Sequence, residues 1–272
     1  MGLRVNTNIA AMTAQRNLAA VTSRLQGNFS RLSSGLRIAT AADDAAGLGI
    51  SERMRGQIRS LAVAGRNAQD GVSLAQTAEG ALQEVSNNLN RMRELAIQSS
   101  NGTLTTADRQ TLDAEFQALT SEIDRVATET SFNGVNVLDG TSTSISIQVG
   151  SSGGQTIDIA LADTTAGTLA LSGEDVLDTA GASSAITAID NAIDSVTTAR
   201  GNLGAAQNRM NSAIASIANT RENLAAAESR IRDVDVAMET SDLTRNSILQ
   251  QASVSVLAQA NVQPQLALSL LG

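Results

Sequence analysis

The sequence contains no Cys, His, Trp or Tyr, and all nineteen of its basic residues are Arg, so Lys is missing as well. Without His, Cys and Lys the chain lacks the side chains that supply most general bases, nucleophiles and Schiff-base amines near neutral pH. Only carboxylates and hydroxyls remain, and the expectation is that this is not an enzyme. Metal sites built from imidazole or thiolate are excluded for the same reason, as is the phosphate loop G-x-x-x-x-G-K-[ST]. No cofactor or metal is expected. The aromatics are Phe29, Phe116 and Phe132 alone, too few to line a ligand pocket of the usual kind, so the core must be aliphatic. No disulfide can form. A formal net charge of −8 argues against nucleic acid as a partner. No run of eighteen apolar residues suggests a membrane span. The opening stretch, MGLRVNTNIAAMTAQRNL, lacks the continuous apolar core of a cleaved signal peptide. A cytosolic protein and one exported without a cleaved signal both fit these absences.

What is present is enough to build one or two domains: 272 residues, 42% of them hydrophobic, can bury a substantial core. From Leu61 a heptad frame holds for five repeats. Leu61, Ala68, Ala75, Leu82, Leu89 and Ala96 occupy one core position; Ala64, Gly71, Ala78, Val85 and Met92 occupy the other. This predicts a helix roughly 50 Å long with a seam of many small residues, which a partner helix can approach closely. A second helix is predicted from Thr105, where Thr105 and Asp108 have capping-box spacing and Leu112, Phe116, Leu119, Ile123 and Val126 follow at steps of four and three. The stretch SFNGVN ends it. A third starts near Ser183 or Ser184 and carries Ile189, Val196, Leu203, Met210, Ile217, Leu224 and Ile231 seven apart. Its companion positions run from Ile186, Ile193 and Ile214 to Arg200, Gln207, Arg221 and Glu228, giving a narrower seam with polar edges.

Between the second and third helices the period changes to 2. Ile145, Ile147 and Val149 face one way, a Ser-Ser-Gly-Gly turn follows, then Ile157, Ile159 and Leu161, which predicts a β-hairpin. Residues 162–182 are expected as a loop with one short strand. Each end of the chain is amphipathic without an obvious local partner. Leu18, Val21, Leu25, Phe29, Leu32 and Leu36 form the first stripe; Ile248, Ala252, Val256, Ala260, Leu266 and, at the very end, Leu270 form the last. Isolated helices of this length are marginal in water. They either pack on each other within one chain or fold fully when other copies cover them.

Longer stretches go further. RLSSGLRIATAADDAAGLGISERMRGQIRSL, from Arg31 to Leu61, resembles the N-terminal signature of bacterial flagellins. SRIRDVDVAMETSDLTRNSILQQASVSVLAQANVQPQLALSLLG is similar to the C-terminal one, and RMRELAIQSSNGT, EIDRVATETSFNGVNVLDG and IQVG match the part between. The resemblance covers essentially the whole chain in family order. It implies a mainly α fold, with long antiparallel helices forming coiled-coil rod domains and a small β-hairpin region. Segments 1–42 and 233–272 would make an inner coiled coil, 43–140 and 183–232 an outer rod domain, and 141–182 the hairpin and a short variable region. It further implies a subunit that polymerises into the flagellar filament for swimming, its ends folding into the inner tube on assembly. Such a protein is secreted through the flagellar type III apparatus. The alternatives are a hook–filament junction protein of the same superfamily and a secreted effector built on flagellin-like ends. The partners implied are further copies of itself, the export chaperone that grips the C-terminal segment from about Ser241 to Leu271, the filament cap and junction proteins, and the flagellin-sensing Toll-like receptor of animals. For that receptor the resemblance points to Arg91, Leu95 and Glu115. Asp43 and Asp44, adjacent like paired catalytic carboxylates, precede a helical stretch and are expected to cap it or to contact a neighbouring subunit.

Overall fold

The computed structural model describes the backbone over residues 7–269 and side chains through residue 262. Helices dominate: α1 (Ile9–Ser34), α2 (Ala45–Ser99), α3 (Thr106–Glu129), α4 (Thr179–Arg232) and α5 (Val236–Ser269). Four short strands lie between α3 and α4: β1 (Ser131–Phe132), β2 (Val135–Asn136), β3 (Ser144–Gln148) and β4 (Thr156–Ala160). The mainly α class with a small β region is thus confirmed. The chain divides into two compact units, one spanning Gln57–Glu222 and the other made of the flanking segments up to Gly56 and from Asn223.

The unit Gln57–Glu222 holds the main core. All eleven heptad positions of α2 are buried, so the repeat read in the sequence is the seam itself. α4 lies antiparallel to α2, as the pairs Gly65 with Ile217 and Gly71 with Met210 require. Its Ile189, Val196, Leu203, Met210 and Ile217 are buried. The polar edge of its seam is used: Arg200 Nε donates to Glu79 Oε1 at 2.9 Å. α3 turns back along α2, buries Phe116 and Ile123 completely, and starts with a full capping box in which Thr105 and Asp108 exchange hydrogen bonds. These bonds hold the Asp108 carboxyl below its ordinary value.

The β3–β4 hairpin has the expected register, Ile145 opposite Ile159 and Ile147 opposite Ile157. A second, two-residue hairpin joins β1 to β2 through Asn133 and Gly134, both at positive φ, the geometry a type I′ turn demands. The expectation for 162–182 needs correcting. No strand forms there among the described residues. Turns carry Ala166, Leu169, Leu171 and Val176 into the core, and α4 begins at Thr179, with Asp178 Oδ1 accepting from Gly181 N at 2.6 Å.

Gly71 marks the tightest approach in this unit. A Cβ there would stand 2.6 Å from Met210 Sδ and 3.0 Å from Ile147 Cγ1, and Met210 is fully buried. Gly71→Val is expected to destabilise the unit by about 1–3 kcal/mol through overpacking, read as a lower midpoint in thermal unfolding; an unchanged midpoint would show that Met210 can move aside.

Candidate self-assembly and recognition surfaces

The terminal unit is built around α1 and α5, which pack antiparallel. Asn8 ties their outer ends: its Oδ1 accepts from Ala11 N at 3.0 Å, capping α1, while its Nδ2 donates to Ala260 O at 2.7 Å. Farther along, Asn246 Nδ2 donates to Asn28 Oδ1 at 3.2 Å. At the inner ends Gly35, at φ +71, caps α1 in the left-handed conformation. Its carbonyl accepts from Val234 N at 3.0 Å, and Arg37 N donates to Arg232 O at 2.7 Å. The Arg232 guanidinium completes the knot on Glu52 Oε1 at 2.6 Å, which together with Arg55 holds the Glu52 carboxyl below its ordinary value.

The seam of α1 is Ala11, Ala14, Leu18, Val21, Leu25, Asn28 and Leu32, each buried or half-buried and spaced by three and four. It therefore contains most of the stripe read in the sequence, with Leu36 half-buried just beyond. Phe29 is the exception. Asn28 takes the inward position and Phe29 stays 57% exposed. An Asn pair across a helix seam fixes register at some cost in stability.

On α5 the sequence reading and the structure diverge. The sheltered positions are Leu243, Asn246, Gln250, Ser253, Leu257 and Ala260, again at steps of three and four. The expected stripe lies mostly on another face: Ile248 is 61% exposed, Val256 59%, and Ala252 is exposed as well, only Ala260 facing inward. Leu266 lies within the helix beyond the described side chains, and Leu270 lies outside the described residues. The half of α5 that meets α1 is thus more polar than the half that does not, since Val236, Met238, Leu249, Val254 and Val262 are exposed too. A groove of about 240 Å³ runs along the pair between Leu25 and Phe29 on one side and Leu243 and Ile248 on the other.

Asp43 and Asp44 have separate jobs. Asp44 Oδ1 accepts from Gly47 N at 2.9 Å at the start of α2. Gly47 is needed there, because a Cβ would stand 2.8 Å from the buried Ile38 Cδ1. Asp43 Oδ2 accepts from Thr40 N and Thr40 Oγ1, both at 2.9 Å, and these bonds hold its carboxyl below its ordinary value. Arg31 approaches Asp43 at 3.8 Å and the buried Glu239 at 4.0 Å.

In the other unit, exposed Arg91 and Glu115 are joined, Nε to Oε1, at 2.9 Å, and Arg91 also bonds Glu94 at 2.9 Å. The carboxylates raise the Arg91 pKa. Leu95, expected on the same surface, is 1% exposed and belongs to the core. Near its end α2 is covered by more than one neighbour, Ser99 Oγ donating to Val176 O and Arg109 Nε donating to Ser99 O, so the buried arc is wider than two heptad positions. Ile97, 51% exposed, is the apolar side chain left outside.

Among the described residues no group of three carboxylates could hold a metal ion, and no helix is long and apolar enough to cross a membrane. Two family models match the chain, the bacterial flagellin N-terminal helical region over residues 5–143 and the bacterial flagellin C-terminal helical region over 186–271. A flagellin of Halalkalibacterium halodurans is 51% identical over 98% of this chain and 99% of its own length, and a flagellin of Bacillus subtilis is 44% identical over 99% and 100%. Among solved structures, Bacillus cereus flagellin aligns at 37% identity with a TM-score of 0.51, covering 60% of this chain and 94% of that one. A hook-associated protein of Vibrio parahaemolyticus aligns at 17% identity and a TM-score of 0.58 over 71% and 99%, a likeness of fold alone. Matched end to end at up to half its residues, this chain belongs to the bacterial flagellin family.

Proposed function

We propose that α1 and α5 of this chain form the inner wall of a filament, the exposed face of α5 being closed by other copies of the same chain. As a flagellin, the chain is a structural subunit of the extracellular bacterial flagellar filament, and it serves motility. The observation that carries the proposal for the ends is the inverted polarity of α5. A helix with apolar residues on several faces has more to bury than one neighbour covers, yet within one chain only its more polar face is covered. Fully burying a Val, Ile or Leu contributes roughly 1.5–3 kcal/mol, so the exposed residues of α1 and α5 together can drive a cooperative assembly. Seeded polymerisation of the purified full chain tests this by sedimentation and electron microscopy. Tubes with a gain in protection of α1 and α5 are expected; a chain that stays monomeric at high concentration with seeds present would overturn it. The junction-protein reading draws no observation of its own, since the hook-associated likeness is confined to fold and the full-length relatives quoted above are flagellins.

The finer partners follow the same surfaces. Export through the flagellar apparatus needs a chaperone that covers the uncovered face of α5 beforehand, because such a face invites premature association. Filament cap and junction proteins meet the same subunit at the filament's two ends. Arg91 and Glu115, paired on the surface, offer the animal Toll-like receptor a charged contact. A receptor reporter that stays silent with saturating monomer, or a chaperone that still binds a chain ending at Ser247, would remove the corresponding partner.

A further inference from the structure

The chain has six Met and no Cys, His, Trp or Tyr. A mild two-electron oxidant such as hydrogen peroxide therefore meets one kind of reactive group, the Met thioether. The structure sorts these thioethers by burial. Met92 and Met210 are fully buried in the core of the unit Gln57–Glu222. The terminal unit holds the accessible ones: Met12 on α1 is 59% exposed, Met238 on α5 is 70% exposed, and Met54 is half-buried. Met1 lies outside the described residues. Among the described residues, sulfur within reach of an oxidant is thus confined to the unit that carries the uncovered helix faces.

Both exposed sulfurs stand on apolar ground. Met12 lines an open hollow of about 650 Å³ on α1 with Ile9 and Ala19, and Ile9 is exposed as well. Met238 lies in the first turn of α5, two residues after exposed Val236, where its backbone N donates to Asp235 Oδ1 at 3.1 Å. On the filament reading these are faces that neighbouring copies cover. A thioether suits such a contact, being apolar, polarisable and adaptable in shape. Its sulfoxide does not, because the added oxygen is a strong acceptor that must keep a hydrogen bond when water is removed. In a free chain either form is solvated. The difference arises when another copy closes over the sulfur.

We propose that Met12 and Met238 are sulfoxidation sites through which peroxide controls whether a free chain can join the filament. The thioether sulfur attacks one oxygen of hydrogen peroxide; an S–O bond forms as the O–O bond breaks, and the other oxygen leaves as water with both hydrogens. Sulfur loses two electrons and the peroxide gains them. A methionine sulfoxide reductase reverses the step, its thiols supplying the two electrons and ending as a disulfide while the oxygen departs as water. Assembly preserves the reduced form, since a covered sulfur is out of the oxidant's reach. An oxidised chain is refused before it is built in. The proposal rests on the filament reading and adds to it a chemical condition for entry.

The test treats the full-length chain with hydrogen peroxide, maps sulfoxides by mass spectrometry and measures seeded polymerisation. In the free chain Met12 and Met238 are expected to oxidise at least about tenfold faster than Met92 and Met210, which react only when the core opens. The oxidised chain should unfold at the wild-type temperature, yet its critical concentration should rise at least about tenfold and return to the untreated value after incubation with the reductase. M12L/M238L, in which Leu nearly conserves the volume of Met, should polymerise as wild type does and keep its threshold after peroxide. Filaments treated in the same way should retain both thioethers. Oxidised wild type polymerising at the untreated threshold would overturn the switch while leaving the filament reading intact. So would M12L/M238L losing assembly to peroxide as wild type does, a fall in the unfolding temperature of the oxidised chain, or filaments oxidised at Met12 and Met238 as fast as free chains. An untreated wild-type chain that forms no polymer at all would overturn the filament reading and the switch with it.

Discussion

Val256→Asp leaves the thermal unfolding of the isolated chain within about 0.5 kcal/mol of wild type, as exposed substitutions usually do, while raising the critical concentration for polymerisation at least about 100-fold. Val256 is 59% exposed in the single chain, so an Asp there remains solvated. In a filament where other copies cover that face, the same substitution forfeits roughly 1.5–3 kcal/mol of apolar burial. It also strands a carboxylate away from water, which costs several kcal/mol more after relaxation. A factor of 100 corresponds to about 2.8 kcal/mol, so the estimate is a lower bound. Seeded assembly with sedimentation reads the critical concentration, and calorimetry on the unassembled chain supplies the control. Polymerisation of Val256→Asp at the wild-type threshold would mean that this face of α5 stays in contact with water in the filament, and the inner wall would have to be built otherwise. Ser253→Val, on the sheltered face, should act in the opposite sense, on the chain itself, by replacing a polar seam residue with an apolar one.

The sequence was most legible where one partner defines one face. The seam of α2 repeats without interruption because the antiparallel run of α4 follows it from Gly65 to Arg93, and a helix–helix seam needs two positions in seven. The Thr105–Asp108 box and the alternating Ile pairs of β3 and β4 were readable for a similar reason: the interactions are local, and few alternatives satisfy them. Legibility fell where several elements meet or where a helix carries apolar residues on several faces, as α5 does. The resemblance sets Leu95 on one surface with Arg91, but at the end of α2 the covered arc broadens and Leu95 is buried. Residues 162–178 have no period because their burial is decided by distant partners, α2 and α3, to which Ser99, Gln117 and Asp124 tie them. The β1–β2 hairpin lies in SFNGVN, read in the sequence only as the end of α3, because two-residue strands are too short for alternation to show. On α5, stripes of nearly equal quality can be drawn on several faces, so periodicity could not choose the one meeting α1. That ambiguity is itself informative, because evolution has no reason to keep the solvent side of a two-helix contact apolar unless something else covers it.

Trypsin added to the unassembled chain should remove the ends first and leave a fragment close to Gln57–Glu222, whereas the filament should resist. With no Lys, every cleavage site is an Arg, which makes the fragments easy to assign. In the terminal unit the buried apolar side chains among the described residues are Ala11, Ala14, Val21, Ile38 and Ala260. Three of these five are Ala, which bury little surface each. The unit Gln57–Glu222 buries Phe116, Leu82, Leu89, Met92, Ile123, Ile159 and Ile189 almost completely. Helix pairs stabilised by so small a core open readily, and proteolysis follows the population of open forms when reclosing is fast. If opening of α1 and α5 costs at least about 3 kcal/mol less than opening the other unit, cleavage at Arg16, Arg24 and Arg245 should outpace cleavage at Arg93 and Arg200 by about 100-fold or more. Mass spectrometry of timed digests reads both rates. Equal rates in the unassembled chain would show that α1 and α5 are already stable as a pair, and assembly would then only dock preformed helices. Fast loss of the ends in the monomer with strong protection in the filament requires the opposite: the free energy that fixes α1 and α5 comes largely from the neighbours that cover Ile248 and Val256. Folding of the ends and growth of the filament would then be one step.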